Sequence, residues 1–140
     1  MKSRWIAAAT LISLVSFAHA ADTAVLVPAG ELKWQDVPNA KGVQIAAVQG
    51  DPSKGASHFF LKFAPGFSAP VHHHTANHWG TVVSGTVVLT VDGKDHKLPA
   101  GSFIGFTGKK PHATRCEAGA DCVLSMDAHG KWDVVEPKKK

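Results

Sequence analysis

Three histidines, His72, His74 and His78, lie between two glycines in the order Gly66-x5-His72-x-His74-x3-His78-x6-Gly85, and a fourth, His112, follows downstream behind Gly101. A neutral imidazole offers one nitrogen lone pair to a borderline-soft divalent ion, and such ligands suit Zn, Fe, Ni and Cu. Four of them at these spacings point to a single divalent metal ion held inside a small β-barrel. A helical reading of His74-x-x-x-His78 fails, because Pro70 sits just upstream and a β-branched run follows. His72 and His74 also could not share a helix face. The remaining histidines of the folded region, His58, His73, His96 and His129, read as exposed or as hydrogen-bonded at strand edges.

The elements that must position these ligands are strands. On a strand, residues two apart share a face, so His72 and His74 project together while His73 points away. His78 cannot ride the same straight strand, since four residues at about 3.3 Å each would carry it roughly 13 Å off. The chain must therefore turn at Thr75-Ala76-Asn77, with His78 opening the next strand, and His112 must arrive from a strand far along the sequence. Short runs rich in Val, Phe and Thr predict strands over 43–48, 59–63, 81–83, 86–91, 102–106 and 122–126. Turn signals separate them at Gly50-Asp51-Pro52, Pro65-Gly66, Ser84-Gly85, Pro99-Ala100-Gly101 and Gly119. Asp92-Gly93 predicts a tight hairpin between 86–91 and 94–98, because both centres of a type I′ turn need positive φ. With no 3.6-residue apolar stripe, repeat or linker after residue 20, the pattern is an all-β sandwich or barrel.

Composition narrows the setting. Lys2 and Arg4 precede an apolar run from Trp5 to Phe17, and Ala18-His19-Ala20 has the small-x-small form of a signal-peptidase site. Residues 1–20 are expected to be a signal peptide cleaved after Ala20, sending residues 21–140 to the periplasm or outside the cell. The run is too short to span a hydrocarbon core that needs about 20 apolar residues. The remaining 120 residues fit one domain. They carry 13 basic and 11 acidic side chains, three of the basic ones in the terminal Lys138-Lys139-Lys140. No basic, aromatic-interleaved stripe suggests nucleic acid, and no membrane partner is expected once the signal is removed. Cys116 and Cys122 flank a turn-like pentapeptide and could face each other across a hairpin. A disulfide is expected in an oxidising compartment in preference to thiolate ligation, because only one of the two lies near His112.

The run from Gly66 to Gly85 resembles the first motif of the cupin superfamily, with His78 where family members usually carry glutamate. The run from Gly101 to Cys116 resembles the second motif, with His112 on its histidine. Thr107, Lys109 and Cys116 depart from the usual proline, glycine and asparagine there. The 15 residues from 86 to 100 match the short spacing between motifs in small bacterial cupins. Gly50-Asp51-Pro52 and residues 59–65 are similar to a group of small exported members. The resemblance implies a double-stranded β-helix, or jelly-roll barrel, with a metal near its mouth. It also implies a tendency to dimerise through a barrel face, and adds Mn to the metals to be considered.

Replacing the carboxylate with His78 leaves a four-imidazole site at net charge +2, where three histidines and a carboxylate would leave +1. That difference strengthens Lewis acidity and lowers the pKa of bound water. The leading expectation is an enzyme acting on a small organic substrate chelated to the metal. The resemblance implies dioxygenase-like, isomerase or lyase chemistry. Trp79, Phe103, Phe106 and Met126 are candidate substrate-binding wall residues, and no general base can be named. The alternative is a non-catalytic metal- or ligand-binding module of the periplasm, since one barrel fold serves many functions.

Overall fold

A computed structural model describes residues 23–138. The expected signal peptide and its cleavage site fall outside the described residues. Ten strands account for the regular structure apart from one 3₁₀ turn at Ala29–Glu31, and no α-helix occurs among the described residues. The strands are β1 (Gln35–Asp36), β2 (Val43–Gly50), β3 (Ser57–Phe63), β4 (Ser68–His72), β5 (His78–Ser84), β6 (Thr86–Val91), β7 (Lys94–Pro99), β8 (Phe103–Phe106), β9 (His112–Cys116) and β10 (Cys122–Ala128). Every pairing is antiparallel.

Two sheets face each other, one ordered β1-β2-β3-β10-β5-β8 and the other β4-β9-β6-β7. From β3 onward the chain changes sheet at each connection except the β6–β7 hairpin. This is the wound jelly roll expected from the sequence. Period-2 alternation writes the core: β3 buries Ser57, Phe59, Leu61 and Phe63, and β10 buries Cys122, Leu124, Met126 and Ala128. β6 adds Val87, Val88 and Leu89 from the opposite sheet.

Two tight turns decide the winding. Asp92 and Gly93 both take positive φ, 49° and 75°, and join β6 to β7 as the Asp-Gly pair requires. Gly85 alone links β5 to β6 and so carries the chain from one sheet to the other. Its φ is 73°, and a Cβ there would lie 2.5 Å from the Asp121 carbonyl oxygen and 2.9 Å from the Cys122 Cα. Only glycine fits both the conformation and the close approach.

Cys116 and Cys122 form a disulfide, with Cα atoms 5.8 Å apart. The hairpin expected between them does not form. β9 is flanked on both edges by β4 and β6, and β10 by β3 and β5, so neither has a free edge for the other. The intervening turn instead crosses between the sheets, and the disulfide is a buried tie between them.

Candidate metal centre

Three of the four histidines stand at strand termini and His74 lies just beyond one, and the fold brings all four to one end of the barrel. His72 closes β4 and sits directly opposite His112, which opens β9. The β4–β9 register shifts between Ala69 and His72, an irregularity of the kind that re-aims side chains beside sites. His74 lies in the segment after β4, with bends at Thr75 and Ala76, and His78 opens β5 in the other sheet. All four side chains are buried, and His73 between the first two is only partly so.

His72, His74 and His112 each offer a ring nitrogen, and these three atoms lie within 4.8 Å of one another. Two nitrogens bonded to one ion at about 2.1 Å stand at most about 4.2 Å apart, so small ring rotations would close the set. His78 falls outside this trio. Its ring centre is 4.7 Å from that of His74 and 6.3 Å from that of His112.

The hydrogen bonds around the rings decide which nitrogen is available. Nδ1–H of His72 donates to the Pro70 carbonyl at 2.7 Å, that of His78 to Ala76 at 3.0 Å and that of His112 to Lys110 at 3.1 Å. Each is a local bond reaching two residues back. His74 differs, because its Nδ1–H donates to the carbonyl of Asp133, 59 residues later. With Nδ1 occupied on all four rings, Nε2 is left as the lone-pair nitrogen, the arrangement typical of imidazoles held ready for a metal. Burial lowers the pKa of His74 to about 3 and of His112 to about 4, and lowers that of His78 as well. In each case the bond to a carbonyl opposes the shift without reversing it, so these rings are neutral ligands at neutral pH. Donor type, tautomer, charge state and spacing all fit a divalent transition metal.

The C-terminal segment completes the site, and no sequence motif marked it. Trp132 stacks on His74 with ring centres 3.9 Å apart and planes 18° from parallel, and meets His78 edge-on at 5.0 Å. The Asp133 carboxylate accepts from the Thr75 backbone N–H and Oγ1, both at 2.7 Å. Partial burial raises the Asp133 pKa, but the Thr75 bonds outweigh it and the net shift is downward. His73 and Val135 exchange backbone hydrogen bonds at 3.0 and 2.9 Å. These contacts make residues 132–135 a strap across the histidines. A Trp isolated near the chain end was the only available signal, and nothing in its spacing tied it to His74.

The histidines open onto a cavity of about 480 Å³. Phe106 and Met126 line it. Trp79 and Phe103 do not, which corrects their expected role as wall residues. Alternation is the cause. Trp79 follows the inward His78 and lies against His129, with ring centres 4.4 Å apart. Phe103 precedes the buried Ile104 and is 67% exposed. The exposed lining residues form the rim: Pro38, Asn39 and Lys41 from the 37–41 segment, Ser68 and Pro70 from β4, and Val134 and Glu136 at the end of the strap.

A jelly-roll barrel with clustered imidazoles at one end of a cavity defines a class of small β-barrels. A family model described as cupin domain matches residues 59–128, half of the chain, and the protein belongs to that family. No curated protein matches its sequence. Among solved structures, it is similar to the polyketide cyclase RemF from Streptomyces resistomycificus (20% identity, TM-score 0.68, covering 82% of this chain and 86% of that one). It is also similar to a predicted oxalate decarboxylase from Thermotoga maritima (19% identity, TM-score 0.63, covering 75% and 98%). A third is KdgF from Halomonas sp. (22% identity, TM-score 0.60, covering 73% and 92%). At these identities the likeness concerns the fold.

Proposed function

We propose that this cupin is an exported, metal-dependent enzyme that acts on a small organic substrate held in the barrel cavity. The observation that carries the reading is the common state of four buried rings: each Nδ1 donates to a carbonyl, and each Nε2 is left for one ion. His72, His74 and His112 would form the inner set, with His78 as the fourth ligand. A bound divalent ion would supply Lewis acidity toward a substrate oxygen.

The chain's own residues hold and enclose the reactants. Trp132, flat against His74, covers that ring and lines the cavity beside it. Phe106 stacks on His112 with ring centres 4.1 Å apart, fixing that ligand and presenting an apolar wall. The only acidic residue among the described lining side chains is Glu136, exposed at the rim. This favours reactions driven by polarising a chelated carbonyl or enol over reactions that need a buried carboxylate base. Oxygenation, isomerisation and lyase chemistry of such substrates all fall in that group.

Metal analysis of protein recovered from the periplasm, without added metal, tests the reading. One equivalent of a transition metal per chain is expected, with the mature protein beginning at Ala21. Chelation should lower the melting temperature, and His74→Ala should abolish both the metal and the chelator effect. Wild-type protein that arrives metal-free and takes up none would overturn the proposal.

A further inference from the structure

We infer that the substrate is a neutral, ring-sized apolar molecule bearing one oxygen-donor head, and that small polyanions such as dicarboxylates and sugar acids are excluded. The placement of the head rests on the metal-dependent reading above, whereas the nature of the rest follows from the cavity itself. The histidines occupy strand termini: His72 ends β4, His78 begins β5 and His112 begins β9. Beyond them the wall is built from strand interiors. Leu61 on β3, Leu89 on β6, Ile104 on β8 and Leu124 and Met126 on β10 all line the cavity and are buried.

Apart from the histidines, the one buried polar side chain on the wall is Thr114. No Lys, Arg, Asp or Glu is among the buried lining residues. The two charged members, Lys41 and Glu136, are exposed at the rim. Burying a second carboxylate against leucine and methionine with no cationic partner costs far more than the contacts return. A ring system gains from the same wall. The cavity volume of about 480 Å³ lies within the range that encloses drug-sized organic molecules. One metal-facing polar end and an apolar interior thus select for a molecule with the same asymmetry.

Zinc-loaded protein, titrated with three hydroxamates that share a chelating head, tests this through tryptophan fluorescence. 2-Naphthohydroxamate is expected to bind at least about 30-fold more tightly than acetohydroxamate. 6-Carboxy-2-naphthohydroxamate should lose at least about tenfold relative to the uncharged naphthyl probe. No gain from the naphthyl group, or equal binding of the carboxylated probe, overturns the inference and leaves the metal site standing. A parallel titration of metal-free protein should show binding of 2-naphthol and none of naphthalene-2,6-dicarboxylate. If zinc does not load, the proposed function fails while this second pair still decides the substrate class, with binding of the dicarboxylate overturning it.

Discussion

Each candidate ligand histidine carries two instructions at once, one nitrogen bonded to a backbone carbonyl and the other left free of that bond. Burial then keeps His74, His78 and His112 neutral, and this has a consequence for pH dependence. In the metal-free fold His74 and His112 are held down to about 3 and about 4, while in the unfolded chain histidine titrates near about 6.5. The unfolded state therefore takes up protons first as pH drops. Stability from these groups is complete above about pH 6.5 and is lost as pH falls toward 4 and then 3. Urea unfolding of chelator-treated protein should show a lower midpoint at pH 5 than at pH 7.5. His74→Gln should reduce the difference, and equal midpoints in the wild type would contradict the buried, neutral assignment.

At the scale of elements, the strap and the sheet crossing are the vulnerable parts. Truncation after Gly130 removes Trp132 and the Asp133 carbonyl but leaves all ten strands. Loss of an orienting partner of this kind costs about 10- to 100-fold in metal affinity. Competitive zinc titration should show that loss with the β-sheet circular dichroism intact, and unchanged affinity would remove the strap from the site. Gly85→Ala should be far more damaging than its size suggests. The added methyl meets backbone at 2.5 and 2.9 Å in a left-handed conformation. A loss of about 2 kcal/mol or more in chemical denaturation is expected. The hairpin at Asp92-Gly93 and the placement of His72, His74 and His78 about a turn were readable because they are local. The crossing of Cys116 and Cys122 between sheets was not, since it depends on which strand edges are already taken.

For the molecule as a whole, the two sheets are held together by the shared core and by the one disulfide at Cys116–Cys122. The loop it closes is short, with a sequence separation of 6, so its entropic contribution is about 2 kcal/mol. A Cys116→Ala/Cys122→Ala double variant should unfold at lower denaturant by about that amount while keeping its metal, because the disulfide is not among the ligands. The cavity rim is a different matter of scale. Asn39, Lys41, Val134 and Glu136 come from outside residues 59–128, the stretch that matches the cupin domain. The barrel and its three histidine-bearing strand termini lie within the matched stretch, whereas the rim is shared between β4, through Ser68 and Pro70, and the segments on either side.

What the amino-acid sequence determined alone was everything carried by short-range periodicity: the all-β architecture, the inward faces of the strands, and His72, His74, His78 and His112 as a candidate ligand set. Alternation also holds the reason two wall residues were misplaced, since Trp79 and Phe103 each neighbour an inward position and so cannot share it. Only the tertiary structure decided what closes the site. The carbonyl that orients His74 and the indole that covers it arrive from 59 and 58 residues away. Such a contact leaves no periodic trace, because it is selected by the packing of the finished barrel and not by any local preference of the chain.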